Sequence, residues 1–308
     1  MSGSRSKPPL WRKAVKLLVR LVRGPSFAHA YAWTPGLSMV KPAGTEDIGE
    51  IVYRGSRVGA LLHPDVLAKR AGAEIFVIGS GPSVTQTRVE DAGPSTVILL
   101  NGAMSLIGNK IATPLAVAVE DERFVWRHFD LMRAKIGADT LCLFSVGVIR
   151  TICELDRAWL SDKRIILIDD IRKPYRTRRR GAAELAGISC ATVSDDGIAG
   201  FSSDPSVGVF QGGSVAISAI QFAAYCRPQT IGLFGIDISN ADRPRFYEQA
   251  GDTAKSGIAG AEARIVRHIL LAHEVCHQKG IKLVNYSPVS ALRGTAIGYD
   301  PRFAVTTA

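Results

Sequence analysis

The sequence has no acidic residue before Glu46, no CxxC pair among its five cysteines and no GK[ST] behind a glycine-rich turn. Nor does it hold an apolar run near the ~20 residues of a spanning helix. Each absence closes a route. Cys142, Cys153, Cys190, Cys226 and Cys276 are odd in number and scattered. They read as reduced core thiols of a cytoplasmic protein rather than a disulfide framework or a metal knuckle. The start shows no basic, apolar and small-residue series, so no secretory signal is expected. Disorder is excluded by a composition that is 46% hydrophobic and 21% charged over 308 residues.

The acid-free start concentrates the charge. Arg5, Lys7, Arg12, Lys13, Lys16, Arg20, Arg23 and Lys41 precede any carboxylate, and the remaining chain is nearly balanced within a net +10. A nucleic-acid binder would be basic more uniformly, so no nucleic-acid partner is expected. Residues 10–23, LWRKAVKLLVRLVR, place Arg12, Lys13, Lys16, Arg20 and Arg23 largely on one side of a helix. Trp11, Val15, Leu18 and Val22 form the opposing stripe. That pattern predicts peripheral contact with an anionic inner leaflet, each cation adding roughly 1 kcal/mol. The alternative is a helix packed on the domain. Gly24 and Pro25 end it.

The chain divides into a basic amphipathic segment (1–32), an irregular lead-in rich in Pro and Gly (33–70), with a possible strand at EIVYRG and a short helix at HPDVLAKRAG, and a single domain (71–308). From Glu74 onward, short apolar runs alternate with helical stretches: IFVIG, STVILLNG, PLAVAV, TLCLFS, KRIILID, TIGLFGID and IKLVNYS. This predicts an α/β fold, a Rossmann-like doubly wound, mostly parallel sheet. The run Arg172, Lys173, Arg176, Arg178, Arg179, Arg180 interrupts the rhythm. It belongs on the surface, as a clamp for a polyanion or as a solvated loop. HEVCH (His273–His277) matches a zinc-helix pattern, yet no His or Glu follows to complete it, which favours a structural helix.

Ligands of open parallel sheets bind at the carboxyl ends of strands. Here those ends read Gly79-Ser80-Gly81-Pro82-Ser83, Asn101-Gly102, Glu120-Asp121-Glu122, Gly235-Ile236-Asp237 and Tyr286-Ser287-Pro288. The N–H groups of Ser80, Gly81 and Ser83 are candidates to face an anion. Glu120-Asp121-Glu122 offers a grip for Mg²⁺ or, equally, the acidic start of a helix.

The order VIGSGPS, LLNGAMSL, AVAVEDE, GGSVAISAIQFAAYCRPQTIGLFGID and IKLVNYSPVSAL resembles the bacterial CMP-sialic-acid-dependent sialyltransferases. It is also similar to a broader group that includes MptE-like pterin pyrophosphokinases. The resemblance spans residues 74 to 293. It implies an inverting glycosyltransferase using a nucleotide-activated, CMP-linked sugar on a cell-surface glycan or lipopolysaccharide-type glycolipid acceptor. Gly79, Ser80, Gly81, Pro82, Ser83 and Asn101 become nucleotide contacts, joined by Glu120, Asp121, Gly213, Ser214 and Asp237. In the loop after GID the family places phosphate-binding tyrosines and a histidine base. This chain has Tyr247, with Arg243 or Arg245 for the departing phosphate, but no histidine between Asp237 and Arg264. Glu248, Asp252 and Glu262 are the candidate bases, none preferred. A CMP sugar carries a good leaving group, so no metal or other cofactor is expected. Pyrophosphoryl transfer to a pterin and a non-catalytic scaffold remain alternatives, and a homo-oligomer is left open.

Overall fold

The structure is a computed structural model. It describes residues 11–27, 33–238, 246–247 and 261–305. In chain order the elements are α1 (Trp11–Arg23), β1 (Leu37–Val40), β2 (Ile48–Tyr53), β3 (Ser56–Leu62), α2 (Asp65–Ala68), β4 (Glu74–Ile78), β5 (Val97–Leu100) and β6 (Ala116–Val119). Then come α3 (Glu122–Lys135), β7 (Leu141–Ser145), α4 (Val146–Asp156), β8 (Arg164–Ile168), α5 (Ala182–Ala186), β9 (Ala191–Val193) and β10 (Gly200–Ser202). The chain continues through α6 (Val215–Tyr225), β11 (Thr230–Phe234), α7 (Glu262–Gln278) and β12 (Lys282–Asn285).

Ten strands form one sheet in the order β1-β2-β3-β8-β7-β6-β5-β4-β11-β12. All neighbours from β3 to β12 pair in parallel. The seven apolar runs become β4 to β8, β11 and β12. Their residues alternate between two cores, as a period of two demands. Phe76, Ile78, Leu99, Val119 and Phe144 join Phe124 and Val125 of α3 and Val148 and Ile152 of α4. Ile75, Val77, Ile98, Ala118 and Leu143 join Ile220 of α6 and Ile265 and Ile269 of α7. Helices on both faces explain why the central strands are apolar throughout.

The segment expected to be an irregular lead-in is instead largely sheet. β1, β2 and β3 form an antiparallel meander, and β3 pairs with β8. Their burial alternates because one face meets solvent, so no continuous apolar run marks them. The basic run at 172–180 lies at the surface as expected, with Arg176, Arg178 and Arg179 exposed, but its guanidinium groups bond back to the fold. Arg172 donates to the Gly197 and Ile198 carbonyls, Arg176 to Leu37 O, Arg180 to Ile171 O, and Arg178 pairs with Glu184.

Helix α1 forms as expected, with one correction. Arg12 is buried rather than displayed on the basic face, and it pairs with Glu122 and Glu154. Val15 and Val19 are half-buried. Trp11, Leu17, Leu18, Leu21 and Val22 remain exposed, the last two by 74% and 75%. Among the described residues no helix is long and apolar enough to cross a membrane.

Candidate active site

The chain lays down β4, then β5 to β8 successively outward on one side, and returns to set β11 against the other flank of β4. The connections diverge at that point, where a doubly wound sheet is expected to open a ligand crevice at the carboxyl ends of its strands. Because the strands are parallel, Gly79, Asn101, Glu120, Ser145, Asp169 and Gly235 all leave the sheet at this edge.

The glycine bend has a different local purpose from the one its amides suggest. Gly79 N–H donates to Phe234 O (2.7 Å), Gly81 N–H to Gly235 O (3.0 Å) and Ser83 N–H to Asp237 Oδ2 (2.7 Å). Ser83 Oγ donates to the other Asp237 oxygen. A Cβ on Gly79 would collide with Gly235 O, and one on Gly81 would run into the same carbonyl and the Asp237 carboxylate. The glycines therefore permit two backbones to close on each other. This corrects the expectation for Gly81 and Ser83, whose N–H groups are donated within the fold, to the Gly235 carbonyl and the Asp237 carboxylate. Asp237 is a tie across the switch point. Ser80 is buried in the same bend and Pro82 lies partly exposed.

Asn101 follows β5 in the left-handed region, at φ +47°, which asparagine tolerates better than most residues. Its Oδ1 is buried and accepts no hydrogen bond from the described residues. A buried acceptor left open is costly unless something fills it. Beside it, the space a Gly102 side chain would occupy is taken by the Tyr247 ring. Tyr247 meets His128 of α3 edge-on, with centroids 5.6 Å apart at 86°, and His128 lies 4.9 Å from Phe124. Asn101, Tyr247 and His128 thus form one group at the mouth of the crevice.

The acidic trio after β6 diverges. Asp121 caps α3, accepting from Arg123 N–H (2.9 Å), and pairs with the Arg123 guanidinium. Glu122 pairs with Arg12. Glu120 is enclosed between α6 and β8, where its Oε1 accepts Ser218 Oγ at 3.2 Å. Burial pushes its carboxyl up to about 8; the Ser218 bond opposes this and the charges of Asp170 and Asp121 add to it. Asp170 is likewise raised by burial, against the pull of Lys173. The three carboxylates do not converge on a metal, and among the described residues no group of three or more His, Cys, Asp or Glu could hold one.

Glu120 has a consequence for pH. Its folded-state pKa lies above the unfolded one, so the folded state binds the proton more tightly and stability falls as pH rises toward 8. His268, buried on α7 and pushed down to about 4, acts with the opposite sign and only below the ordinary histidine range. Across pH 6.5 to 8 the decline is therefore carried by Glu120 together with its raised neighbour Asp170. Glu120→Gln is expected to flatten the decline in melting temperature across it, as differential scanning fluorimetry would show. An unchanged slope would contradict the burial assigned to this carboxyl.

Ser214 caps α6 by accepting Ala216 N–H at 3.3 Å. Gly213, at φ +100°, lies under Arg264 of α7, whose Nε donates to Gly212 O at 3.0 Å. Glu262 stands in the first turn of α7, next to Ala261, which packs at Gly213. Arg243, Arg245, Glu248 and Asp252 lie outside the described residues. Sequence reasoning missed His128, Arg264 and Asp170. The first two sit in ordinary amphipathic helices, and only the doubled Asp169-Asp170 after KRIIL could have signalled the third.

A doubly wound sheet with polar groups gathered at its switch point is the arrangement of an α/β protein that takes its ligand at the carboxyl ends of the strands. The family described as 3-deoxy-D-manno-octulosonic acid transferase WaaZ matches residues 63–302, and the chain belongs to that family. It is accordingly a glycosyltransferase of lipopolysaccharide core assembly. A probable 3-deoxy-manno-octulosonic acid transferase of Salmonella typhimurium is 24% identical over 208 residues, covering 63% of this chain and 76% of its own. Among solved structures, the sialyltransferase CstII from Campylobacter jejuni with the substrate analogue CMP-3FNeuAc superimposes with a TM-score of 0.39 at 11% identity. The overlap covers 76% of this chain and 89% of that one. The sialyltransferase CST-II with trisaccharide acceptor and CMP gives 0.36 at 12% identity, with the same coverage of each chain.

Proposed function

We propose that the protein transfers 3-deoxy-D-manno-octulosonic acid from its CMP-linked form to an inner-core lipopolysaccharide acceptor, with inversion at the anomeric carbon. The observation that carries this reading is the family match, because residues 63–302 include every strand end of the crevice. The site supports it chemically. The open, buried Oδ1 of Asn101 suits an N–H donor such as the exocyclic amine of cytosine. Tyr247 beside it presents a phenol that can donate to the departing phosphate.

The acceptor is a membrane glycolipid, and α1 supplies the means of reaching it. Its exposed Trp11, Leu17, Leu18, Leu21 and Val22 border Lys13, Lys16, Arg20 and Arg23, the composition of a helix lying at an anionic leaflet. Peripheral placement at the inner membrane follows from this reading. The pterin alternative loses its basis, since it needs the acidic trio to grip Mg²⁺ and those side chains point apart. A transfer assay with the CMP-linked sugar and a core glycolipid tests the proposal.

A further inference from the structure

Inverting transfer needs a base for the acceptor hydroxyl, and the loop after Asp237 has no histidine to supply one. The structure brings an imidazole to the crevice from another element. α3 starts at the carboxyl end of β6, capped by Asp121. Within it the backbone leaves helical geometry at one residue only, His128 (φ −126°, ψ 27°). No Pro or Gly lies between Glu122 and Lys135 to account for such a kink. His128 is half-buried, with one ring neighbour in Phe124 and another in Tyr247. Tyr247 in turn covers Gly102, next to the open Asn101 acceptor.

The other histidines are placed elsewhere. His63 follows β3, separated from β4 by four intervening strands, and accepts Asp65 N–H at 3.2 Å. His268 is buried and bonded to Gly200. His273 and His277 lie in the C-terminal half of α7. His29 lies outside the described residues.

We infer that His128 is the general base of the transfer, accepting the proton of the attacking acceptor hydroxyl; this rests on the glycosyl-transfer reading above. The hydroxyl oxygen forms its bond to the anomeric carbon as the bond from that carbon to the CMP phosphate oxygen breaks. The bonding pair leaves on CMP, and the hydroxyl proton moves to the neutral ring nitrogen of His128. The imidazolium then returns its proton to water. Tyr247, edge-on to the same ring, fixes the face of the imidazole beside Gly102 and Asn101. General-base removal from a side chain in this role costs about 10²- to 10⁴-fold in rate.

The test compares wild type with His128→Phe, which keeps a flat ring against Tyr247, and His128→Ala, which leaves room for added imidazole. Substrates are the CMP-linked octulosonic acid and a core glycolipid. The expected result has three parts. Thermal stabilisation by CMP is the same in wild type and both variants, kcat falls about 10²-fold or more in each, and imidazole restores part of the activity of the alanine variant only. Wild-type kcat in His128→Phe would overturn the inference and leave the glycosyl-transfer reading intact. Loss of CMP stabilisation in parallel with kcat would also overturn it, because His128 would then be holding the pocket's shape. A wild-type protein that neither binds CMP nor transfers sugar would sink the parent reading and this one together.

Discussion

Asp237→Ala is expected to lower unfolding free energy by about 2–5 kcal/mol, a sizeable part of a domain's usual margin. Asp237 is buried and receives both the backbone N–H and the hydroxyl of Ser83, which lies 154 positions away in the chain. Deleting the carboxylate leaves two buried donors without acceptors, each costing about 1–3 kcal/mol. Two different strands depend on that tie, so the loss falls on β4 and β11 together and the unfolding midpoint in urea should drop with the slope unchanged. Asp237→Asn keeps one acceptor oxygen and should recover part of the loss. A midpoint for Asp237→Ala equal to wild type would show that the glycine bend is held by its backbone contacts alone.

The second large effect concerns α1. Arg12 is buried between Glu122 and Glu154, and breaking a buried ion pair from one side costs about 3–5 kcal/mol. Arg12→Ala leaves two carboxylates facing each other with no cation between them. α1 touches the body through little else, so the chain can relieve that repulsion by releasing the helix and rehydrating both acids. The expected outcome is therefore local. Trypsin cuts at Lys13, Lys16, Arg20 and Arg23 much faster, while the urea midpoint of the sheet barely moves. Replacing Glu122 and Glu154 with glutamine in the same background should slow the cutting again. Equal cutting of wild type and Arg12→Ala would mean that the triad does not hold the helix.

The two outcomes bear on how much the sequence disclosed. Central parallel strands are buried on both faces, so β4 to β8, β11 and β12 appear as plain apolar runs such as IFVIG and IILI. β1 to β3 are half-solvated and punctuated by Pro42, Gly49, Gly55 and Gly59, so only EIVYRG, within β2, reads as a possible strand and the rest reads as loop. α4 was hidden because Val146 begins it directly after Ser145, the last residue of β7, with Ser145 as its own cap. The strand-end principle marks which residues gather at one edge of the sheet, but not the work each residue does there. Glycines at 79 and 81 advertise exposed amides in one dimension, whereas the partner that consumes those amides, β11, arrives 150 residues later. The same distance conceals His128 and Arg264, whose helices carry ordinary amphipathic patterns. Arg12 shows the converse: a residue that fits a solvated basic face becomes the buried cation of a triad through two glutamates more than a hundred positions on.

We propose that the carboxyl ends of β4, β5 and β11 hold a cytidine nucleotide carrying an octulosonic acid. The most direct test is the transfer assay itself, with CMP release and acceptor mass followed together. The account predicts one CMP released for each octulosonic acid added to the core glycolipid, with no added divalent metal required. Absence of both products at saturating donor, or transfer from a UDP- or GDP-linked sugar instead, would contradict it.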